Sequence, residues 1–497
     1  MSRAAALIRA VPALSSTGLL RRHRLGEAGW GDLVAALADD PLLLLSVWSD
    51  GPEVHALFLD EAGQPLVAST AIERQRYQAL SPARPGAVLN ERILRDLWGH
   101  EAMGARDLRP WLDHGAWGLT APRAARPGPA IYPPEPIEFA AVAGRERAGG
   151  VLRIDGPARS EAPEPPWMAA VSVAGGRVLA VEPRLGFAHR GIDSLLSGRP
   201  VGAAVRLAGR IDAGSSVTHA LALARAIEDV AGFSEAGSGE LASRRDALLE
   251  LERCAGHLHA LGRLAASLGA AALAEDFAEA LEGLRATCAD GWDHRLLYDT
   301  ISPGDAAPAM PSLGAHAAAW RTGWARLARR FDASLSGALC GLARLAPSEA
   351  RDHGVLGVAG RASGQAFDAR RLGGRQLGAA LSCGDALARA RLRLDEIGAS
   401  LDRLDPQAGL RPAGQATLPL KPAFAGIGGE GLGVAEGPDG PVWAWVRLEA
   451  GLVASVWFAE PSLPLWSALP GLLAGLPGER LSPAIASLSA AITAADR

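Results

Sequence analysis

Over the first 120 residues the apolar positions come in short runs. LLLLSVW (42–48), EVHALFLD (53–60) and PLVAST (65–70) read as three strands separated by turn residues. An amphipathic start precedes them, and helical stretches are predicted around Ala71–Leu80 and Val88–Trp98. The segment APRAARPGPAIYPPEPIE (121–138) is too rich in proline to continue a helix and reads as an extended linker within 121–150. A second β region follows at 151–185, with VLRID, MAAVSVAG and RVLAVEPRL, and Gly175–Gly176 between the last two is a hairpin signal. From about Ile192 to Arg403 the period becomes helical. In 240–269, Leu241, Leu248, Leu251, Leu258 and Leu261 recur on one wide face, and several such segments in succession imply a bundle. The pattern returns to β over 425–460, with turns at Pro438–Gly440 and near Gly451. The predicted fold class is α+β and multidomain. A mixed N-terminal α/β domain (1–120) and a linker (121–150) precede a mainly α-helical bundle (192–405) flanked by small antiparallel sheets within 151–497.

The bulk composition narrows the function classes. The chain has 497 residues, 48% hydrophobic and 21% charged, the balance of a folded globular protein too long for one ordinary core. Its net charge of −4 offers no basic field for nucleic acid, and its positive charge is almost all Arg, with Lys421 the one obvious lysine. Cys254, Cys288, Cys340 and Cys383 lie far apart with no C-x-x-C pair, so neither a disulfide scaffold nor an iron–sulfur or structural zinc site is expected in this chain. Arg3, Arg9 and Arg21 interrupt the N-terminal apolar stretches, so no signal peptide is expected. The later apolar runs fall short of the roughly 20 residues that span a bilayer. No G-x-G-x-x-G follows a strand, which places any nucleotide site in another subunit.

Six collinear blocks carry a resemblance. They are RLGFAHRGIDSL (184–195), RLAGRIDAGSSVTHALALARAIED (206–229), ALLELERCAGHLHALG (247–262), GVAGRASGQAFDARR (357–371), CGDALARARLRLDEI (383–397) and GEGLGVAEGPDGPVWAWV (429–446). In this order they resemble the large subunits of energy-converting nickel–iron hydrogenases of the formate-hydrogenlyase type and the homologous D subunit of respiratory complex I. NERILRDLWGHEAMGARDLRPWLDHGAW (90–117) is similar to the C subunit of complex I, which formate-hydrogenlyase-type chains carry as a fused domain.

The resemblance implies a metal site that this chain has lost. The family holds nickel and iron with four cysteine thiolates, soft donors suited to such metals. The first pair of cysteines corresponds to Asp212 and Ser215, and the second to Ala491 and Ala494. With all four sulfurs replaced, nickel–iron hydrogenase activity is expected to be lost and no metal is assigned. In complex I the same cavity binds quinone through a His and a Tyr, whose positions are held here by Gly149 and Ala213.

Other positions match. Arg210 corresponds to an Arg beside the partner subunit's terminal iron–sulfur cluster, where a cation favours the reduced state. The alternative is a structural Arg paired with Asp212 or Glu228. His257 corresponds to a His near the same cluster that couples reduction to protonation, or else is a hydrogen-bonded core histidine. Asp193 stands where the hydrogenases have a proton-relay Glu, with a helix cap or salt bridge as the alternative. His219 reads as core, Arg361, Ser363 and Asp368 as a supporting loop near the cavity, and Trp443, Trp445 and Trp457 as core or interface.

The function implied is that of a subunit in a membrane-associated respiratory-type oxidoreductase complex, related to NADH–quinone oxidoreductase and the energy-converting hydrogenases. It would contribute to electron transfer from a partner's iron–sulfur cluster toward quinone or another acceptor, coupled to ion translocation by membrane subunits. The alternative is a non-catalytic structural or coupling subunit of such a complex. The partners implied are a small iron–sulfur subunit like the B subunit of complex I and antiporter-like membrane-arm subunits. No cofactor is expected on this chain itself, quinone being the one open case. The location implied is cytoplasmic, peripheral on the cytoplasmic side of the inner membrane.

Overall fold

The computed structural model describes residues 2–115, 117–129, 151–155, 167–235, 239–308, 310, 312–375, 377–378, 380–405 and 424–496. Five strands near the N-terminus form one sheet in the order Ala13–Thr17, Leu20–Arg24, Pro65–Ala71, Glu53–Leu59, Leu43–Ser49; Leu20–Arg24 and Pro65–Ala71 run parallel and the other neighbours antiparallel. Both faces of this sheet are buried, which explains why its strands read as continuous apolar runs. Leu42, Leu44, Val47, Val54, Ala56 and Phe58 pack on one face against helices Arg3–Arg9 and Glu27–Leu37. Leu43, Leu45, Trp48, Leu57 and Leu59 face the other way into the large core. The pairing slips between Leu44 and Ser46, and this bulge puts Leu45 and Ser46 on one face.

That second face meets the C-terminal sheet, formed by Gly429–Glu436, Pro441–Glu449 and Leu452–Ala459. Trp457 Nε1 donates to Ser46 Oγ at 2.9 Å, and the Trp445 ring lies 5.8 Å from Trp48 and 5.3 Å from His55. Arg22 reaches across to Glu430 through two bonds of 2.7 and 2.9 Å. The indoles at 443, 445 and 457 are therefore buried, and two of them join the sheets.

Elements elsewhere follow the sequence pattern with one correction. The helix expected around Ala71–Leu80 is absent. Ala71 ends a strand, Arg74 and Gln75 take φ of 50° and 63°, and Arg76–Gln78 pairs in parallel with Glu101–Met103. Two consecutive left-handed residues cannot belong to a right-handed helix. The helix Val88–Trp98 is present and ends on Gly99. Of the expected linker, 121–129 turns back so that Gly128–Pro129 pairs with Leu119–Thr120, while 130–150 lies outside the described residues. Val151–Asp155, Met168–Ala174 and Arg177–Arg184 form an antiparallel sheet, with Gly175 and Gly176 both at positive φ in its hairpin.

The helical part contains Ser216–Val230, Gly239–Ser267, Ala271–Trp292, Leu313–Leu339 and Ala386–Leu404. Ser216–Val230 lies directly on the strand Gly429–Glu436. A Cβ at Gly433 would stand 2.3 Å from the Ala222 carbonyl oxygen, so only glycine lets helix and strand approach this closely. Gly239–Ser267 buries the predicted leucine face and packs against Ala271–Trp292 and Ala386–Leu404. Among the described residues no helix is long and apolar enough to cross a membrane.

Candidate functional site

The loop Arg210–Ser215 feeds the N-terminus of helix Ser216–Val230. Asp212 Oδ1 accepts from the Gly214 N–H at 2.9 Å, and Oδ2 accepts from Ser215 Oγ at 2.8 Å. This is a local turn in which an Asp side chain binds the backbone two residues on. Glu252, on the neighbouring helix, seals the same helix start by accepting from the Val217 and Thr218 N–H groups at 2.5 and 3.0 Å. Burial pushes the Glu252 carboxyl up to about 7, against the pull of these bonds.

A cavity of about 10 Å³ lies beside Asp212 and Ser215, bounded by His219, the turn Gly437–Gly440, Glu460–Ser462 and Ala491. That is about the space of one water molecule. His219 is buried; its Nδ1 donates to the Ser215 carbonyl at 2.8 Å, and its Nε2 faces Glu460 Oε1 at 3.6 Å. Burial presses the His219 pKa down, but the Glu460 and Asp212 carboxylates outweigh it and carry the pKa above its ordinary value. Ala491 is pinned through its backbone, its N–H donating to Ser462 Oγ at 2.9 Å and its carbonyl accepting from Trp466 Nε1 at 3.0 Å. The fold thus gathers Asp212, Ser215 and Ala491 around one point, although Ala491 is 276 residues beyond Ser215 in the sequence. Ala494 is buried in the short 3-10 turn Ile492–Ala494 that follows.

These residues do not fit a soft bimetallic centre. At the cavity they offer one carboxylate, one hydroxyl already bonded to it and the methyl group of Ala491, around a space for one water, and Ala494 does not border it. Among the described residues no group of three or more His, Cys, Asp or Glu is arranged to hold a metal ion. Ala213 borders a separate small space with Glu252, Gly256 and Arg295, and Gly149 lies outside the described residues.

The other predicted residues lie apart from the cavity. Arg210 sits on the surface in a two-bond pair with Asp299, both at 2.7 Å, with its guanidinium 4.9 Å over the Tyr298 ring. Its carboxylate partner is Asp299 and not the Asp212 or Glu228 of the structural alternative; Glu228 binds Arg245. Asp193 is buried in the first turn of helix Ile192–Leu196, with a carboxylate oxygen 4.0 Å from Arg123.

His257 is fully buried in a chain of ionic groups. Its Nδ1 accepts from Arg393 Nη1 at 3.1 Å, which leaves Nε2–H to donate to Glu396 Oε2 at 2.8 Å. Glu396 Oε1 accepts from Arg361 and Arg370, each at 2.6 Å. Arg361 also holds Asp368 at 2.7 Å and Glu436 at 3.0 Å, and Arg393 holds Asp439 at 2.9 Å. Three guanidiniums therefore face four carboxylates in the interior. Burial drives the His257 pKa down to about 4 even though Glu396 supports its charge. Arg361 and Arg370 overcome burial and hold Glu396 well below the usual carboxylate range. Burial and then repulsion from Asp368 push Glu436 up to about 7. A proton on Glu436 would balance the set. Asp439 connects this chain to the cavity, because it both binds Arg393 and borders the cavity. Ser363 is buried and donates to the Ala359 carbonyl at 2.9 Å.

Arg393, Glu396, Glu436 and Asp439 stand inside the six sequence blocks but are not among the residues that the sequence reading singles out as a site. Asp299 and Glu460 lie outside those blocks.

No protein-family model matches this sequence, and no curated protein is similar to it. Solved structures are similar. A chain in the structure of the membrane-bound sulfane sulfur reductase, an archaeal respiratory membrane complex, matches with a TM-score of 0.62 at 21% identity, covering 71% of this chain and 99% of that one. The fold is shared. Nearly the whole of that chain has a counterpart here, and the remainder of this chain is additional to it.

Proposed function

We propose that this chain is a metal-free subunit of a membrane-associated respiratory-type oxidoreductase complex. In this reading it docks a small iron–sulfur subunit and supports electron transfer from that partner's cluster toward quinone or another acceptor. Antiporter-like membrane subunits would couple the transfer to ion translocation. The observation that carries the reading is a conjunction: the fold is shared with a chain of a respiratory membrane complex, while the point where Asp212, Ser215 and Ala491 converge is closed to about 10 Å³. A quinone ring needs many times that space, so the acceptor would bind outside this point.

The second reading, a structural or coupling subunit with no part in the redox chemistry, is favoured by the same closure and by the internal pairing of Arg210 with Asp299. Affinity purification of the tagged chain from native membranes tests the first. Copurification of an iron–sulfur subunit, with an EPR signal that responds to Arg210→Ala, supports the redox reading. Copurification with an unchanged signal supports the structural one. A chain that elutes with no iron–sulfur subunit contradicts both.

A further inference from the structure

Another cavity, of about 370 Å³, lies elsewhere, among four helices of the bundle. Its floor is apolar, built from Cys254 and Leu258 of Gly239–Ser267 and from Ile397 and Leu401 of Ala386–Leu404. Burial pushes the Cys254 thiol up, so the floor presents no charge. The indoles of Trp320 and Trp324, one helical turn apart on Leu313–Leu339, border the same space. The gap exists because facing positions are small. Gly283 on Ala271–Trp292 and Gly323 on Leu313–Leu339 both line it, and a Cβ at either would meet nothing within 4 Å. At the mouth Asp276 and Arg330 form an ion pair and neutralise each other, and Glu279 and Arg326 add one charge of each sign.

We infer that this cavity binds a neutral, flat-ringed apolar small molecule. Volume selects the occupant. Small-molecule pockets begin near 300 Å³. Chemistry selects neutrality, because the apolar floor has nothing to offset the desolvation of a charge. The paired indoles select a flat ring, whose face packs on theirs. The floor residues Leu258 and Ile397 directly follow His257 and Glu396 in sequence, so an occupant would press on the two helices that carry the buried ionic chain.

The test uses the full chain and N-phenyl-1-naphthylamine, a neutral two-ring probe that fluoresces in apolar surroundings. The expected result is saturable binding of one equivalent, weakened at least tenfold in the double variant Gly283→Leu/Gly323→Leu and in the single variant Ala319→Leu. Gly337→Leu, on the same helix but outside the cavity, should bind as the wild type does and controls for added helix propensity. Far-UV circular dichroism and thermal midpoints establish that each variant is folded; if the double variant is not, Ala319→Leu carries the test alone. Absence of saturable binding by the wild type overturns the inference, as does equal affinity in cavity and control variants. Binding by the chain that vanishes in the native complex assigns the cavity to a partner's side chain and also overturns it.

Discussion

Asp212 and Ser215 are bonded to each other, Ser215 Oγ donating to Asp212 Oδ2 at 2.8 Å. The two residues thus satisfy one another and close the loop that leads into helix Ser216–Val230. Ser215→Ala removes the donor from a buried carboxylate and is expected to destabilise the chain by about 1–3 kcal/mol in urea unfolding. Stability unchanged within error would show that this bond does not hold the loop.

Glu396 and Glu436 belong to one ionic chain but should respond oppositely to neutralisation. Glu396 is held charged by Arg361 and Arg370, so Glu396→Gln leaves buried guanidiniums without their shared anion and should cost about 3–5 kcal/mol. Burial pushes Glu436 up to about 7, so Glu436→Gln resembles a form the native protein already visits near neutral pH and should cost far less. Equal losses in thermal or urea unfolding would contradict the charge assignment.

His257 gives a pH prediction. Burial lowers its pKa from 6.5 to about 4, so between those values the unfolded chain binds more protons than the native one. Stability from this group is fully present above pH 6.5 and is lost as pH falls toward 4. The full effect is on the order of 3 kcal/mol for a shift of this size. His257→Gln should flatten that part of the stability–pH curve, measured by urea unfolding at several pH values. A variant curve parallel to the wild type would show that His257 does not titrate there.

Gly433 is a steric test of the helix-on-strand contact. A Cβ there would stand 2.3 Å from the Ala222 carbonyl oxygen and 2.4 Å from the Ala226 nitrogen, both backbone atoms. Gly433→Ala is expected to lower stability by about 1–3 kcal/mol or more. A variant with the wild-type thermal midpoint would mean that helix and strand are not this close.

Arg210 separates structure from redox function. Its pair with Asp299 is on the surface, so Arg210→Ala should change stability by less than about 1 kcal/mol. In the purified complex, loss of this cation should make the partner's cluster harder to reduce, lowering its midpoint potential in an EPR titration. An unmoved potential favours the structural reading.

Much of the fold was legible because burial leaves a period in the sequence. Leu241, Leu248, Leu251, Leu258 and Leu261 lie on one buried face, and Gly175–Gly176 turns its hairpin. The bulge at Leu45 and the strand in place of the helix around Ala71–Leu80 were not legible. The first changes no apolar residue, and the second depends on left-handed backbone at Arg74 and Gln75, neither a glycine. At the site, Asp212, Ser215 and Ala491 were each singled out by the resemblance. The convergence of Ala491 with Asp212, and the pairing of Arg210 with Asp299 across 89 positions, are long-range contacts with no local signature.

The central claim is that the point where Asp212, Ser215 and Ala491 meet holds no nickel. Elemental analysis of the complex purified from native membranes, with nickel and iron counted against this chain, tests it most directly. The account predicts iron accompanying an iron–sulfur partner and no stoichiometric nickel, unchanged by Ser215→Ala. One nickel per chain, lost on substitution of Asp212 or Ser215, would contradict it.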